Sequence, residues 1–314
     1  MKIRESGLPF DDFRTLLKQL PPLDDNALEH TTSQVSDRLG EHHGLLGELC
    51  LWYAGWSGRS PSVNRPVMTL FAGTHAVDTG FDVELLAQLE LISSGNSPVN
   101  RVCHQNEVGL KVLDLALQIP VADICVEAAL DEKSCAGTIA FGMEAIAGGT
   151  DLLCAAALED APNISCLAIL SLLSEIDPAS AGLEVDELSL QKVVAARKLH
   201  GLAGLDGFEI LRRLGGREAA AICGAILAAR SQHIPTLLAG PTALTCAAIL
   251  EKMQPGSTSH CRLAQSTGNT VLDELAKAIG LKTVISDFAV ANPAIQLGLA
   301  AGWIRSACHL MASN

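Results

Sequence analysis

A histidine, a glycine pair and a lysine have the type and setting in this sequence to do chemistry. His75 stands in Gly73-Thr74-His75-Ala76-Val77-Asp78, just past the apolar run Val67–Ala72. A short apolar run ending at glycine reads as a buried strand. In open parallel sheets, ligands sit beyond the carboxyl ends of the strands. An imidazole there can touch a ligand or exchange a proton near neutral pH, and it equally suits a polar loop facing solvent. Phe141-Gly142-Met143-Glu144-Ala145-Ile146-Ala147-Gly148-Gly149-Thr150-Asp151 reads as a strand, a glycine turn and the start of a helix, LLCAAAL. That order would aim backbone N–H groups and a positive helix end at a phosphate from Gly148, Gly149 and Thr150. Gly-Gly-Thr-Asp also serves as an ordinary helix cap, and it matches neither the P-loop nor the dinucleotide fingerprint. Lys192, in Leu190-Gln191-Lys192-Val193-Val194, is the third candidate. A lone helical lysine is ordinarily a solvated side chain, and only a partner would give it a role.

The elements that must position these groups alternate. Residues 10–60 read as helical, with Leu17, Leu20, Leu28 and Val35 on one loose apolar side and Asp24-Asp25 available to cap a helix start. Leu45, Leu46, Leu49 and Leu51 fall on the next helical stretch. From about residue 66, strand-like runs follow at 67–72, Lys111–Leu117, Ala122–Val126, Gly137–Phe141, Ser165–Leu170, Pro235–Leu238 and Thr283–Ser286. Helical patterns separate most of them. That alternation implies βαβ units and a parallel sheet covered on both faces, an α/β class. Glu218–Arg230 is apolar almost all round and is therefore expected to be a buried helix. The last helix, Ala294–Met311, carries Trp303 and is expected to dock back on the body. Two units are expected, a small helical subdomain at 1–60, joined by part of the C-terminal region, and an α/β domain at 61–314.

Composition sets the class. Of 314 residues, 48% are hydrophobic, and the mean hydropathy is +0.29. That is too apolar for a disordered chain. Aromatics supply only 4%, so Ala, Leu, Ile and Val must fill the core, which suits helices lying close on a parallel sheet. With 22 basic and 35 acidic residues, the net charge of −13 argues against a nucleic-acid partner, since phosphate backbones need a cationic surface. The ten cysteines lack metal-like spacing and are expected as buried free thiols. Met1-Lys2-Ile3-Arg4-Glu5 has no signal-peptide apolar stretch, and no apolar run approaches the ~18 residues of a membrane span. A soluble, cytosolic protein with no membrane partner is expected.

One segment resembles a known family continuously. Asp206-Gly207-Phe208-Glu209-Ile210-Leu211, Leu214-Gly215-Gly216, Gly224-Ala225-Ile226-Leu227 and Ile234-Pro235-Thr236-Leu237-Leu238-Ala239-Gly240 are similar, in order and spacing, to the nicotinate-nucleotide:dimethylbenzimidazole phosphoribosyltransferases. Weaker matches extend outward. Gly44–Leu49 looks like the family's Gly-Ser-Leu-Gly-Arg-Leu, and Gly73–Val77 stands where the family has Ala-Asp-His-Gly-Val. Phe141–Leu158 is similar to its phosphate-region motif and Ala-rich helix, Lys192-Val193 to its phosphate-binding Lys-Val, and Ser259-His260 to its Ser-His. The resemblance implies a Rossmann-like parallel sheet, a small helical domain, a homodimer, no cofactor and no metal. It also implies a reaction in which a benzimidazole nitrogen attacks C1′ of nicotinate mononucleotide and nicotinate leaves. Gly148, Gly149, Thr150 and Lys192 would hold the phosphate, and His75, Val290 and Asn292 would line the base or substrate pocket.

The departures fall on carboxylates. The family's general base lies in a Gly-Glu-Gly-Ser/Thr-Gly-Ala segment, where this chain has Ala289-Val290-Ala291-Asn292-Pro293-Ala294. Valine cannot accept a proton. Thr74 stands for the Asp before the histidine, and Ala239 for the Asp of Leu-Asp-Gly. Glu144 and Asp287 are the nearest replacement acids. A relative that binds a nucleotide or phosphate ligand without turnover is the alternative reading.

Overall fold

The computed structural model describes residues 8–77, 81–158, 163–173, 186–201, 204–287 and 290–311. Within them a six-stranded parallel sheet runs in the order β2-β1-β3-β4-β5-β6. Its strands are β1 (Pro66–Ala72), β2 (Gly109–Asp114), β3 (Leu152–Ala157), β4 (Thr236–Leu238), β5 (Cys261–Gln265) and β6 (Lys282–Ile285). The chain steps from β1 outward to β2, then crosses back to place β3 on the other side of β1. The strand order therefore reverses between β1 and β3, the position where open α/β sheets leave a crevice at their carboxyl edge.

Side-chain alternation divides the interior into two cores, one on each face. Phe71, Leu153, Ala155, Leu238 and Leu263 face one side, and Met68, Leu70, Cys154, Ala156, Leu237 and Ala264 face the other, as the period of two in a strand requires. The first face is covered by α6 (Glu132–Gly142), α7 (Ile164–Leu173), α8 (Glu187–His200), α9 (Gly207–Leu214), α10 (Arg217–Ser231), α11 (Gly240–Met253) and α12 (Thr270–Ala278). The second carries α3 (Gly44–Ser57), α4 (Phe81–Ser93), α5 (Pro98–Gln105) and α13 (Pro293–His309), with α2 (Asp25–Leu39) packed on α3. The helices within residues 10–57 do not build a core of their own. Phe10, Phe13 and Leu17 of α1 (Phe10–Lys18) enter the first core, whereas Val35, Leu49 and Tyr53 enter the second, where α3 lies against α13.

Local sequence explains the helix starts. Asp24, Asp131, Asp206 and Asn269 each accept a backbone N–H of the first turn of α2, α6, α9 and α12, satisfying donors that the helix cannot satisfy itself. The segment that carries the family resemblance proves to be scaffold. Asp206 also pairs with Arg14 at 2.7 Å, Phe208 stacks on Phe10, and Glu209 binds Arg212 and Arg213. The helix 217–231 is buried along nearly its whole length, as expected.

Several expected strands take another form. Gly137–Phe141 lies in helix α6 and Ser165–Leu170 in helix α7. Ala122–Val126 is loop, with only an isolated bridge from His75 to Val121 nearby. The stretch LLCAAAL, expected as helix, supplies the central strand β3, and β5 was not anticipated. In Gly137–Phe141, Ser165–Leu170 and 152–157 small and apolar residues leave no polar face, so periodicity cannot tell a buried strand from a buried helix. Helix α13 docks through Leu297, Ala300 and Ile304, while Trp303 faces outward. The ten cysteines are free thiols, buried except for the half-buried Cys125. No described helix is long and apolar enough to cross a membrane.

Candidate active site

At the carboxyl edge, β1 runs into Gly73-Thr74-His75, and hydrogen bonds hold this turn on both sides. The Thr74 hydroxyl donates to the Leu117 carbonyl at 2.9 Å, Val121 N–H to Thr74 O at 2.9 Å and Ala76 N–H to Val121 O at 3.0 Å. The side chain that stands for the family's Asp is therefore a tie between two loops. The turn presents His75 inward, only 6% exposed.

Glu218, Ser165 and Asn163 meet its imidazole. Nε2 lies 2.9 Å from Oε1 of Glu218, Nδ1 lies 3.1 Å from the Ser165 hydroxyl, and Asn163 Nδ2 lies 3.3 Å from Nε2 and 3.4 Å from Oε1 of Glu218. Asn163 and Ser165 open helix α7 beyond the carboxyl end of β3, and the Asn163 side-chain oxygen accepts the Cys166 N–H at 2.7 Å. Glu218 sits in the first turn of α10, whose positive end favours a carboxylate. The cluster thus lies where β1 and β3 diverge. The Glu218 carboxylate thus meets one imidazole nitrogen and the Ser165 hydroxyl the other.

Two glycines admit the carboxylate. A Cβ at Gly73 would overlap Oε2 of Glu218, and one at Gly216 would overlap both carboxylate oxygens and Cε1 of His75. Burial pushes the Glu218 carboxyl up, but the charge and hydrogen bond of His75 outweigh it and hold the group below the ordinary carboxylate range. Oε2 has no hydrogen-bond partner among the described residues.

Other expected site residues reach this edge as well. The Lys192 ammonium on α8 donates to Val77 O at 2.6 Å, two residues beyond the imidazole. Val290 and Asn292 lie at the start of α13. The Val290 carbonyl accepts from Gln265 at the end of β5 (2.7 Å) and from Gln296 (2.9 Å), and the Asn292 side chain caps α13 through Ile295 N–H. Gly240, following Ala239 at the end of β4, approaches Pro293. Asp287 is exposed in the segment after β6.

Glu144, Gly148, Gly149 and Thr150 lie elsewhere. Glu144 is exposed on a 3₁₀ turn, Met143–Ile146, and the glycine turn precedes β3, so it occupies the amino edge of the sheet. The Asp151 carboxylate there accepts the N–H groups of Asn64 (2.7 Å) and Arg65 (2.9 Å) just ahead of β1. A strand of six or seven residues separates this turn from His75, about 20 Å at 3.3 Å per residue. The expected strand–turn–helix cradle is in fact helix–turn–strand, so no helix N-terminus stands behind Gly148–Thr150.

Glu218, Asn163 and Ser165 were not anticipated as site residues. Glu218 opens a helix read only as apolar, and Asn163 and Ser165 lie in or beside a run read as strand. A signal for Glu218 existed, because a lone acid heading an otherwise apolar buried helix must find a partner.

Residues 20–313 match the family model described as phosphoribosyltransferase. The chain is 41% identical over 321 residues to the nicotinate-nucleotide–dimethylbenzimidazole phosphoribosyltransferase of Rhizobium leguminosarum bv. trifolii, covering 97% of this chain and 95% of that protein. It is 39% identical to the enzyme of the same name from Agrobacterium fabrum, covering 97% and 93%. The crystal structure of the Thermus thermophilus protein of that name superposes with a TM-score of 0.79 at 20% identity, over 92% of this chain and 96% of that one. That superposition supports the same α/β fold. Near-complete coverage at about two residues in five, together with the family model, gives the conclusion: this chain belongs to the family of nicotinate-nucleotide–dimethylbenzimidazole phosphoribosyltransferases.

Proposed function

We propose that the chain transfers a phosphoribosyl group from nicotinate mononucleotide to a dimethylbenzimidazole-like azole, forming an α-ribazole phosphate for a cobamide lower ligand. One observation carries this reading beyond family membership. His75 and the Lys192 ammonium lie at the carboxyl end of β1, and the 290–292 segment lies along the same edge at the end of β5. An ammonium at that crevice suits a phosphate, whose binding energy positions the sugar. We further propose that Lys192 binds the phosphate, that His75, Val290 and Asn292 border the base pocket, and that the chain works as a cytoplasmic homodimer. The test is incubation with nicotinate mononucleotide and dimethylbenzimidazole. Released nicotinate and α-ribazole phosphate, detected by mass spectrometry, are expected, and no nicotinate release with a panel of azole and phenolic acceptors would refute the reading.

Val290 supports a second reading. Its side chain has no proton-accepting atom and its carbonyl is engaged by two amides, which suits a nucleotide-binding relative without turnover. Calorimetric binding of nicotinate mononucleotide, weakened by Lys192→Ala and unaccompanied by nicotinate release, would favour it.

A further inference from the structure

Away from the His75 cluster, at the amino edge of the sheet, two cations stand side by side. Arg262 is the second residue of β5 and Lys282 the first of β6, and the parallel register pairs them directly. Strand alternation turns Arg262 to the face of Ala264, and Lys282 to that of Val284, which is the second core. Helix α3 lies on that face, and its Glu48, Leu51, Trp52 and Trp56 recur at helical spacing on one side. These six side chains are among those that line a cavity of about 260 Å³. Oε1 of Glu48 accepts from both cations, at 2.9 Å from Arg262 Nη2 and 2.8 Å from Lys282 Nζ. One carboxylate against two cations leaves the trio with a positive charge in excess. We propose that this cavity binds a small monocarboxylate with an apolar body, its carboxylate on Arg262 and Lys282 and its body against Leu51, Trp52 and Trp56.

The cavity wall holds donors that lack acceptors. Arg262 is only 4% exposed, and its Nε and Nη1 have no hydrogen-bond partner among the described residues. The indole N–H of Trp52, whose ring centre lies 5.3 Å from the guanidinium carbon, has none either. Burying donors without acceptors is costly. A carboxylate supplies two acceptor oxygens in one plane, the arrangement that a guanidinium fork matches. A phosphate fits less well, because the apolar wall offers its further oxygens no donors and Glu48 repels its larger charge. Pockets for drug-sized ligands begin at roughly 300 Å³, so the ligand is limited to about one ring. Lys282 and Glu48 are the exposed members of the trio, with 69% and 40% of their side chains accessible, and an incoming carboxylate meets Lys282 first. A neighbouring cavity of about 470 Å³ is also lined by all three charged side chains, so the trio is approached from two sides. Such binding stands apart from phosphoribosyl transfer, because the length of β5 separates Arg262 from Gln265 and the 290–292 segment, about 10 Å at 3.3 Å per residue.

Calorimetric titration of the full chain with benzoate tests this, with benzamide and inorganic phosphate as comparisons. Benzoate is expected to bind saturably. Benzamide, which lacks the charge, and phosphate, which lacks the apolar body, are expected to bind about tenfold or more weakly. Arg262→Lys keeps a charge but loses the fork, and is expected to weaken benzoate about tenfold or more, since hydrogen bonds between charged groups are the strong ones. Lys282→Met, at an exposed position, is expected to weaken it about fivefold or less. Glu48→Gln is expected to tighten it, because a like charge leaves the neighbourhood of the ligand. Absence of benzoate binding overturns the proposal, and so does benzamide or phosphate binding as tightly as benzoate. Benzoate affinity that folded Arg262→Lys and Glu48→Gln chains leave at the wild-type value places the ligand elsewhere and overturns it too. If Arg262→Lys does not fold, Trp52→Phe takes its place, since it keeps a ring and removes only the unpaired N–H. Weaker benzoate binding is then expected, and an unchanged affinity overturns the proposal.

Discussion

The imidazole of His75 and the carboxylate of Glu218 lie 2.9 Å apart although 143 residues separate them in the chain, and both are almost fully buried. The loop after β1 carries one and the first turn of α10 carries the other. They meet because β1 and β3 diverge at this edge and α10 packs across both strands.

Gly216→Ala tests how tightly that meeting is built. A methyl at this position overlaps both Glu218 oxygens and the His75 ring. Overpacking of this kind costs about 1–3 kcal/mol, so the urea midpoint is expected to fall. Nicotinate release is expected to fall further than the folded fraction accounts for, because the two side chains are pushed apart. An unchanged midpoint and rate would show that the carboxylate can move aside freely.

Lys192→Ala is expected to raise KM for nicotinate mononucleotide about tenfold or more, since a hydrogen bond to a charged group contributes roughly 1.5–3 kcal/mol. The variant also loses the bond to Val77 O. Initial-rate kinetics with both substrates checks this, and an effect confined to KM of the azole would relocate the phosphate.

Gly149→Ala separates the two edges of the sheet. Gly149 has φ +84, and a Cβ there would lie 2.9 Å from the Arg65 guanidinium. A left-handed conformation costs a non-glycine residue about 1–2 kcal/mol, so thermal stability is expected to drop. KM for nicotinate mononucleotide should stay within about twofold, because the turn sits at the amino edge. A large rise in KM without loss of stability would restore this turn as a phosphate site.

His260 makes stability depend on pH. Burial, and then the nearby charge of Arg230, push its pKa down from 6.5 to about 3, while its hydrogen bond to Ile226 O works weakly the other way. Between those two values the unfolded chain binds a proton that the folded chain refuses. The stability is therefore complete above about pH 6.5 and is lost as pH falls toward about 3, with a slope of up to about 1.4 kcal/mol per pH unit. Chemical unfolding of the wild type and His260→Gln across pH 4–8 checks it. The difference between the two should shrink as pH falls, and a constant difference would contradict it.

Some of this was legible in the residues. The runs at 67–72, 235–238 and 283–286 overlap real strands, and capping by Asp24 and burial of the helix 217–231 follow from local pattern. The Asp206–Gly240 motifs identify the family because each residue there answers a local need, such as a helix cap, a close approach or a stacked ring. His75 and Lys192 were visible because their positions after a strand and on a helix limit where they can go.

What the sequence by itself determined was the family, the parallel α/β class and the absence of a proton acceptor at Val290. The tertiary structure decided the direction of the 137–158 segment. Residues 152–157 are a strand because they lie between β1 and β4 with both faces covered, a condition that erases the periodicity by which strands are recognised. Residues 132–142 are a helix whose backbone lies directly on that of α10, with no room for a side chain at Gly142 or Gly224. That reversal moved the glycine turn to the amino edge and brought Asn163, Ser165 and Glu218 to the carboxyl edge beside His75. No local pattern encodes such a meeting, because it depends on strand order and helix packing across the whole sheet.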